Sequence, residues 1–136
     1  MRHVVGLLIA ASVIALALAV PSGARAVAIH QAIHFSDPRL IQVNRSEAKL
    51  VTKEELTAFC GCPLSWGTSE PGPRDLVWVV ALAGDFDWAY PTDLHHTQPG
   101  AGYVILPLLP IGHGSGGFTN TYSWPPFFAD LRDRTP

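Results

Sequence analysis

The sequence predicts a small α+β domain: an antiparallel sheet with one short helix over it and a loop-rich C-terminal part, set behind an N-terminal signal helix. Three observations lead there. Residues 4–20 form a charge-free apolar stretch followed by helix breakers. Thr52 and Glu55 stand in the Thr-x-x-Glu spacing of a helix cap. Residues 76–83 (LVWVVALA) have the length and β-branched content of a strand buried on both faces.

The N-terminus reads as an export signal. Arg2 gives a short positive start, the apolar run follows, and Pro21, Ser22 and Gly23 break it before Ala24-Arg25-Ala26. Signal peptidase takes small side chains at the first and third positions before the cut, so cleavage is expected after Ala26, with Ala24 and Ala28 as second choices. An uncleaved anchor is the rival, because seventeen apolar residues stand at the lower edge of a membrane span. In either case the remainder is expected outside the cytoplasm, secreted or periplasmic, by the general secretory route. The membrane would then be touched only through the signal segment, if that is kept.

Division of the chain follows from this. Residues 1–26 are the signal, 27–38 an extended arm, and 39–136 a single α+β domain. After the cut 110 residues remain, enough for one core. Glycine and proline make up about a fifth of them, which implies short elements and long loops. Seven basic residues then face eleven acidic ones, a net of −4 with histidine neutral. No Lys/Arg cluster is available to neutralise phosphates, so nucleic acid is not an expected partner.

Residues 39–44 (RLIQVN) alternate as a first strand, and residues 49–51 make a short second one. The helix is expected over residues 53–59, with Leu56 and Phe59 on one apolar face and Gly61 and Pro63 as its stop. Glu54 and Glu55 read as its solvated side, not as an acid/base pair. Residues 60–75 are loop. Residues 103–106 (YVIL) form another strand, which Pro107 and Pro110 confine to an edge. Beyond residue 111 the chain is glycine-rich and then aromatic, without periodicity.

A Thr-capped helix, a Pro/Gly loop, and a Val-Trp-Val-Val strand ending in Gly84-Asp85-Phe86 resemble small exported bacterial proteins of unknown function. Their body is similar to a PepSY- or cystatin-like unit, with one helix packed on a curled antiparallel sheet. The resemblance spans residues 39–112. In that pattern the last strand runs into an Asp-Ala-x-Thr-Gly type turn, whereas residues 103–112 here read YVILPLLPIG and lack both the Asp and the Thr. What the resemblance implies is a non-catalytic binding or inhibitory module, with no site residues to carry across.

Chemistry-bearing groups are few. Cys60-Gly61-Cys62 is the only thiol pair, and in an oxidising compartment it is expected to close a local disulfide. Intermolecular pairing and redox or metal chemistry are its alternatives. His95, His96, His113 and Asp93 are the residues a metal site would draw on, although adjacent histidines on a strand point to opposite faces. Asp85 and Asp87 begin like a calcium loop, but Ala89 and His96 fill positions that need oxygen ligands. Residues 112–117 (GHGSGG) match a dinucleotide fingerprint in form, yet no helix pattern follows, so they read as a flexible turn. A small hydrolase or redox protein on His113 and Ser115 or on the cysteines is the remaining enzymatic reading. Trp88, Tyr90, Tyr122, Trp124, Phe127 and Phe128 lie in Pro/Gly-rich stretches and are expected to cover the core, with a binding platform as the alternative. The expected function is thus an exported, non-catalytic module for a protein or cell-envelope partner, without a cofactor. Extracytoplasmic metal binding is the alternative.

Overall fold

The computed structural model describes residues 23–62, 66, 70–88, 95–109, 115–119 and 123–135. Four strands form one antiparallel meander in the order β1 (Arg39–Thr52), β2 (Leu76–Trp88), β3 (His96–Pro107) and β4 (Ser115–Thr119). Helix α1 (residues 23–34) covers one face of the sheet. Helix α2 (Lys53–Cys60) and a 3₁₀ turn (Pro126–Asp130) cover the other. The class is α+β, with a helix on each side of the sheet instead of one helix alone.

Both covers follow from the side-chain pattern of β2, whose successive residues point to opposite faces. Trp78, Val80, Leu82 and Phe86 point towards α1 and are buried with Leu40, Leu50, Val104 and Leu106. Val77, Val79 and Ala81 point the other way and meet Leu56, Ile105, Phe128 and Leu131. An interior strand buried on both sides is what the continuous apolar run anticipates.

Residues 27–34 belong to α1 and are not an extended arm. Ala28 and Ala32, four apart, are fully buried, and Ala24, Ile29 and Ile33 pack beside them. Residues at this spacing share one helical face, and alanine lets the helix lie close to the sheet. Three small residues and two isoleucines are too little apolar signal to be read as a helix before the sheet that they cover is known. The three bonds where a signal cut is expected, after Ala24, Ala26 and Ala28, all fall inside this helix.

β1 is one strand of 14 residues, where the sequence suggested two. Its register against β2 shifts between Leu40 and Gln42 and between Val43 and Arg45. These bulges curl the strand, and they blur its alternation, leaving Ile41 and Val43 exposed. Gly84 pairs with Val43, between the two shifts. A Cβ there would lie 1.9 Å from the Gln42 carbonyl oxygen, so the two backbones approach as closely as only glycine allows.

β3 is an interior strand, not an edge, and residues 103–106 are its second half. Pro99 is tolerated because β4 pairs only with Ala101 to Ile105, so beside Pro99 the ladder has a neighbour on one side alone among the described residues. Of the expected glycine-rich turn, Ser115, Gly116 and Gly117 lie in β4. A Cβ on Gly116 would stand 2.0 Å from the Tyr103 carbonyl oxygen, which accounts for glycine there. Residues 112–114 lie outside the described residues.

Candidate functional site

Thr52 ends β1 and caps α2, accepting a hydrogen bond from the Glu55 amide at 3.2 Å. The reciprocal half of the expected cap is not the main use of Glu55. Its carboxylate, with a side chain only 13% exposed, accepts from the Arg132 amide at 2.6 Å and from the Arg134 guanidinium at 3.1 Å. Glu55 thus ties the C-terminal tail to the helix instead of facing solvent. Leu56 is the buried contact of α2, while Phe59 is half exposed and forms no common apolar face with it. Gly61 stops the helix in the left-handed conformation, φ 59°, with its amide on the Thr57 carbonyl.

Cys60 and Cys62 flank that turn at disulfide distance, their Cα atoms 5.0 Å apart. Residues 73–75 lie across the start of α2, where the Pro73 and Asp75 carbonyls accept from the Glu54 and Lys53 amides. Beside the helix lies a cavity of about 580 Å³, lined by Lys53, Glu54, Thr57, Ala58, Cys62, Trp66, Glu70 and Pro73. Its volume is within the range of ligand pockets. Lys53 holds the far wall in place: its ammonium, with the side chain 16% exposed, pairs with Glu70 and donates to the Pro71 carbonyl at 2.9 Å. The Trp66 indole nitrogen is buried and has no hydrogen-bond partner among the described residues.

A second hollow of about 240 Å³ lies across the sheet ladder, lined by Ala101, Gly102, Tyr103, Gly117, Ser123 and Phe127 among others. Burial holds the Tyr103 phenol above its ordinary pKa, and its ring meets Phe127 edge-on at 5.1 Å.

Of the residues put forward for a metal, His95 and His96 are described. His95 Nδ1 lies 3.0 Å from Asp87 Oδ1, and His96 Nε2 lies 3.2 Å from Gln98 Oε1. Asp93 and His113 fall outside the described residues. Among those described, no three His, Cys, Asp or Glu side chains stand close enough to share an ion. Ser115 lies in β4, and its proposed partner His113 is outside the described residues. Of the six loop aromatics, Trp124, Phe127 and Phe128 join the core beneath the sheet and Trp88 packs against the core on the α1 side. Tyr90 and Tyr122 lie outside the described residues.

Fold and cavity define a class: a small α+β meander with a ligand-sized hollow beside its disulfide-flanked helix. No protein-family profile, curated protein or solved structure matches the chain. Nothing in the sequence marks Trp66, Ala58 and Glu70 as a group. A lone tryptophan in a proline- and glycine-rich stretch beside a Cys-Gly-Cys pair was the signal available, and it has no periodicity to mark it.

Proposed function

We propose that this protein is an exported, non-catalytic binding or inhibitory module, secreted or periplasmic, that receives part of a protein or cell-envelope partner in the cavity beside α2. The observation that carries the reading is the cavity itself: an apolar wall of Ala58, Cys62, Trp66 and Pro73 with charged groups at its rim. Pockets of this kind combine contact area with a few orienting polar groups. The element order, with α2 between β1 and a three-strand meander, supports a PepSY- or cystatin-like body, in which binding and inhibition are the implied roles. Export rests on the apolar stretch of residues 4–20 and the small residues after it. A cysteine pair at bonding distance suits an oxidising compartment.

The test is a titration of envelope and secreted fractions into isotope-labelled protein, followed by amide shifts. Perturbations centred on residues 53–62 and 70–73, and abolished by Ala58→Trp, are expected. Perturbations confined to another surface would remove the cavity from the proposal. A second reading, extracytoplasmic metal binding, has one observation in its favour, the exposed His95 imidazole against Asp87. Zinc or copper retained stoichiometrically at neutral pH, and lost in His95→Ala, would promote it.

A further inference from the structure

The cavity's rim distinguishes between kinds of ligand. A helix start ordinarily attracts anions through its free amides. Here the first three are taken: Lys53 N donates to the Asp75 carbonyl at 2.9 Å, Glu54 N to the Pro73 carbonyl at 2.8 Å, and Glu55 N to Thr52 Oγ1. The Lys53 ammonium is occupied by Glu70 and Pro71. No donor of that set remains directed at an anion. The carboxylates are in the opposite position. Glu54 is exposed and has no ion-pair partner among the described residues, and Glu70 is 68% exposed while it holds Lys53 through Oε1. The described lining thus carries two carboxylates against one ammonium, beside the Trp66 indole and the ring of Pro73.

Resting on the binding-module reading, we infer that the cavity receives an arginine or lysine side chain from an extended segment of a partner protein. The aliphatic stem would lie on Trp66 and Pro73, and the cationic head would stand between Glu54 and Glu70. An indole attracts a cation to its ring, and a carboxylate takes an arginine fork through two bonds. The acidic balance of the whole chain, −2 with histidine neutral, adds attraction at longer range.

Three capped peptides of equal length, differing at one central position, test it by calorimetry with the full chain. That position holds arginine, its uncharged isostere citrulline, or glutamate. The arginine peptide is expected to bind about tenfold more tightly than the citrulline peptide, with the advantage shrinking at high salt. Glu54→Gln is expected to remove most of that advantage, and Ala58→Trp, at an exposed helix position, to abolish binding while the circular dichroism spectrum is unchanged. Equal affinity for arginine and citrulline, tighter binding of the glutamate peptide, or indifference to Glu54→Gln would overturn the inference. If the citrulline or glutamate peptide binds and Ala58→Trp blocks it, the binding-module reading stands and only the cationic preference falls. Binding of no peptide at all overturns the inference as well, and the titration of natural fractions then decides the wider reading by itself.

Discussion

Lys49 carries more of the lower layer than its place on a strand suggests. Its ammonium donates to the carbonyls of Phe128 at 2.6 Å and Leu131 at 2.9 Å, and stands 4.8 Å from the Phe128 ring. It closes the end of the 3₁₀ turn, where carbonyls lack partners and negative charge accumulates. Lys49→Met keeps the stem and removes the charge, so it is expected to lower stability by about 1–3 kcal/mol, measured by chemical denaturation. Asp133 is the titrating residue of the same region. Burial raises its pKa, but hydrogen bonds from Thr135 and from the Leu50 amide, with the Arg25 guanidinium at 2.7 Å, outweigh burial and hold it below its ordinary value. A carboxyl whose folded pKa is depressed stabilises the fold fully above the unfolded value, about 3.9, and loses that contribution as pH falls through the folded value. Asp133→Asn should therefore be less stable than the parent at pH 7, and the difference should shrink as the pH is taken down through and below the ordinary carboxylate range, as read from denaturation midpoints along that series. Gly84 is a third residue whose identity is dictated, since the Gln42 carbonyl oxygen occupies the space a methyl would need. Gly84→Ala is expected to destabilise by about 1–3 kcal/mol or more through overpacking.

Among the elements, α1 changes the picture most. It packs on the face that carries Trp78, Val80 and Leu82, and its first described turn contributes Ala24 to that packing and Arg25 to the ion pair with Asp133. A cut after Ala26 would leave residues 27–34 in place and discard that turn. Chains beginning at Gly23 and at Val27 are expected to differ by about 1–2 kcal/mol in favour of the longer one, from one partly buried methyl and one exposed ion pair. Paired thermal melts would reveal it, and equal midpoints would assign the first turn to the signal alone. The α2 cap was legible because its signal is local: Thr52, Glu55 and Gly61 act within one turn of each other. α1 was not legible, because alanines become a buried face only when a sheet lies against them. For β1 the bulges put Ile41 and Val43 on the exposed side, so a period of two failed where the strand curls.

For the molecule as a whole, the C-terminal tail acts as a strap. Arg134 N donates to the Leu50 carbonyl at 2.7 Å and Leu50 N to Asp133, which occupies the outer edge of β1 at that point, while Glu55 ties the tail to α2. An edge strand left with open amides invites pairing with other chains, and this segment covers part of it. The cysteine pair sits differently in the economy of the fold. It closes a loop of only three residues, so its removal by Cys60→Ser with Cys62→Ser is expected to lower stability by less than about 2 kcal/mol. Because Cys62 lines the cavity, ligand affinity should respond more than the unfolding midpoint does. Calorimetry and thermal melts on the same double variant separate the two effects.

The order of residues by itself determined the class of fold, the helix cap and its stop, the doubly buried central strand and the pairing partners available to sulfur. Each of these depends on neighbours within a few positions. Only the tertiary structure decided that residues 23–34 are a covering helix, that β3 lies inside the sheet, and that Lys53, Glu54, Trp66 and Glu70 share a cavity. Those outcomes depend on segments that meet across the sheet or across a loop, and such meetings are set by packing and charge pairing between distant residues, which no local period records.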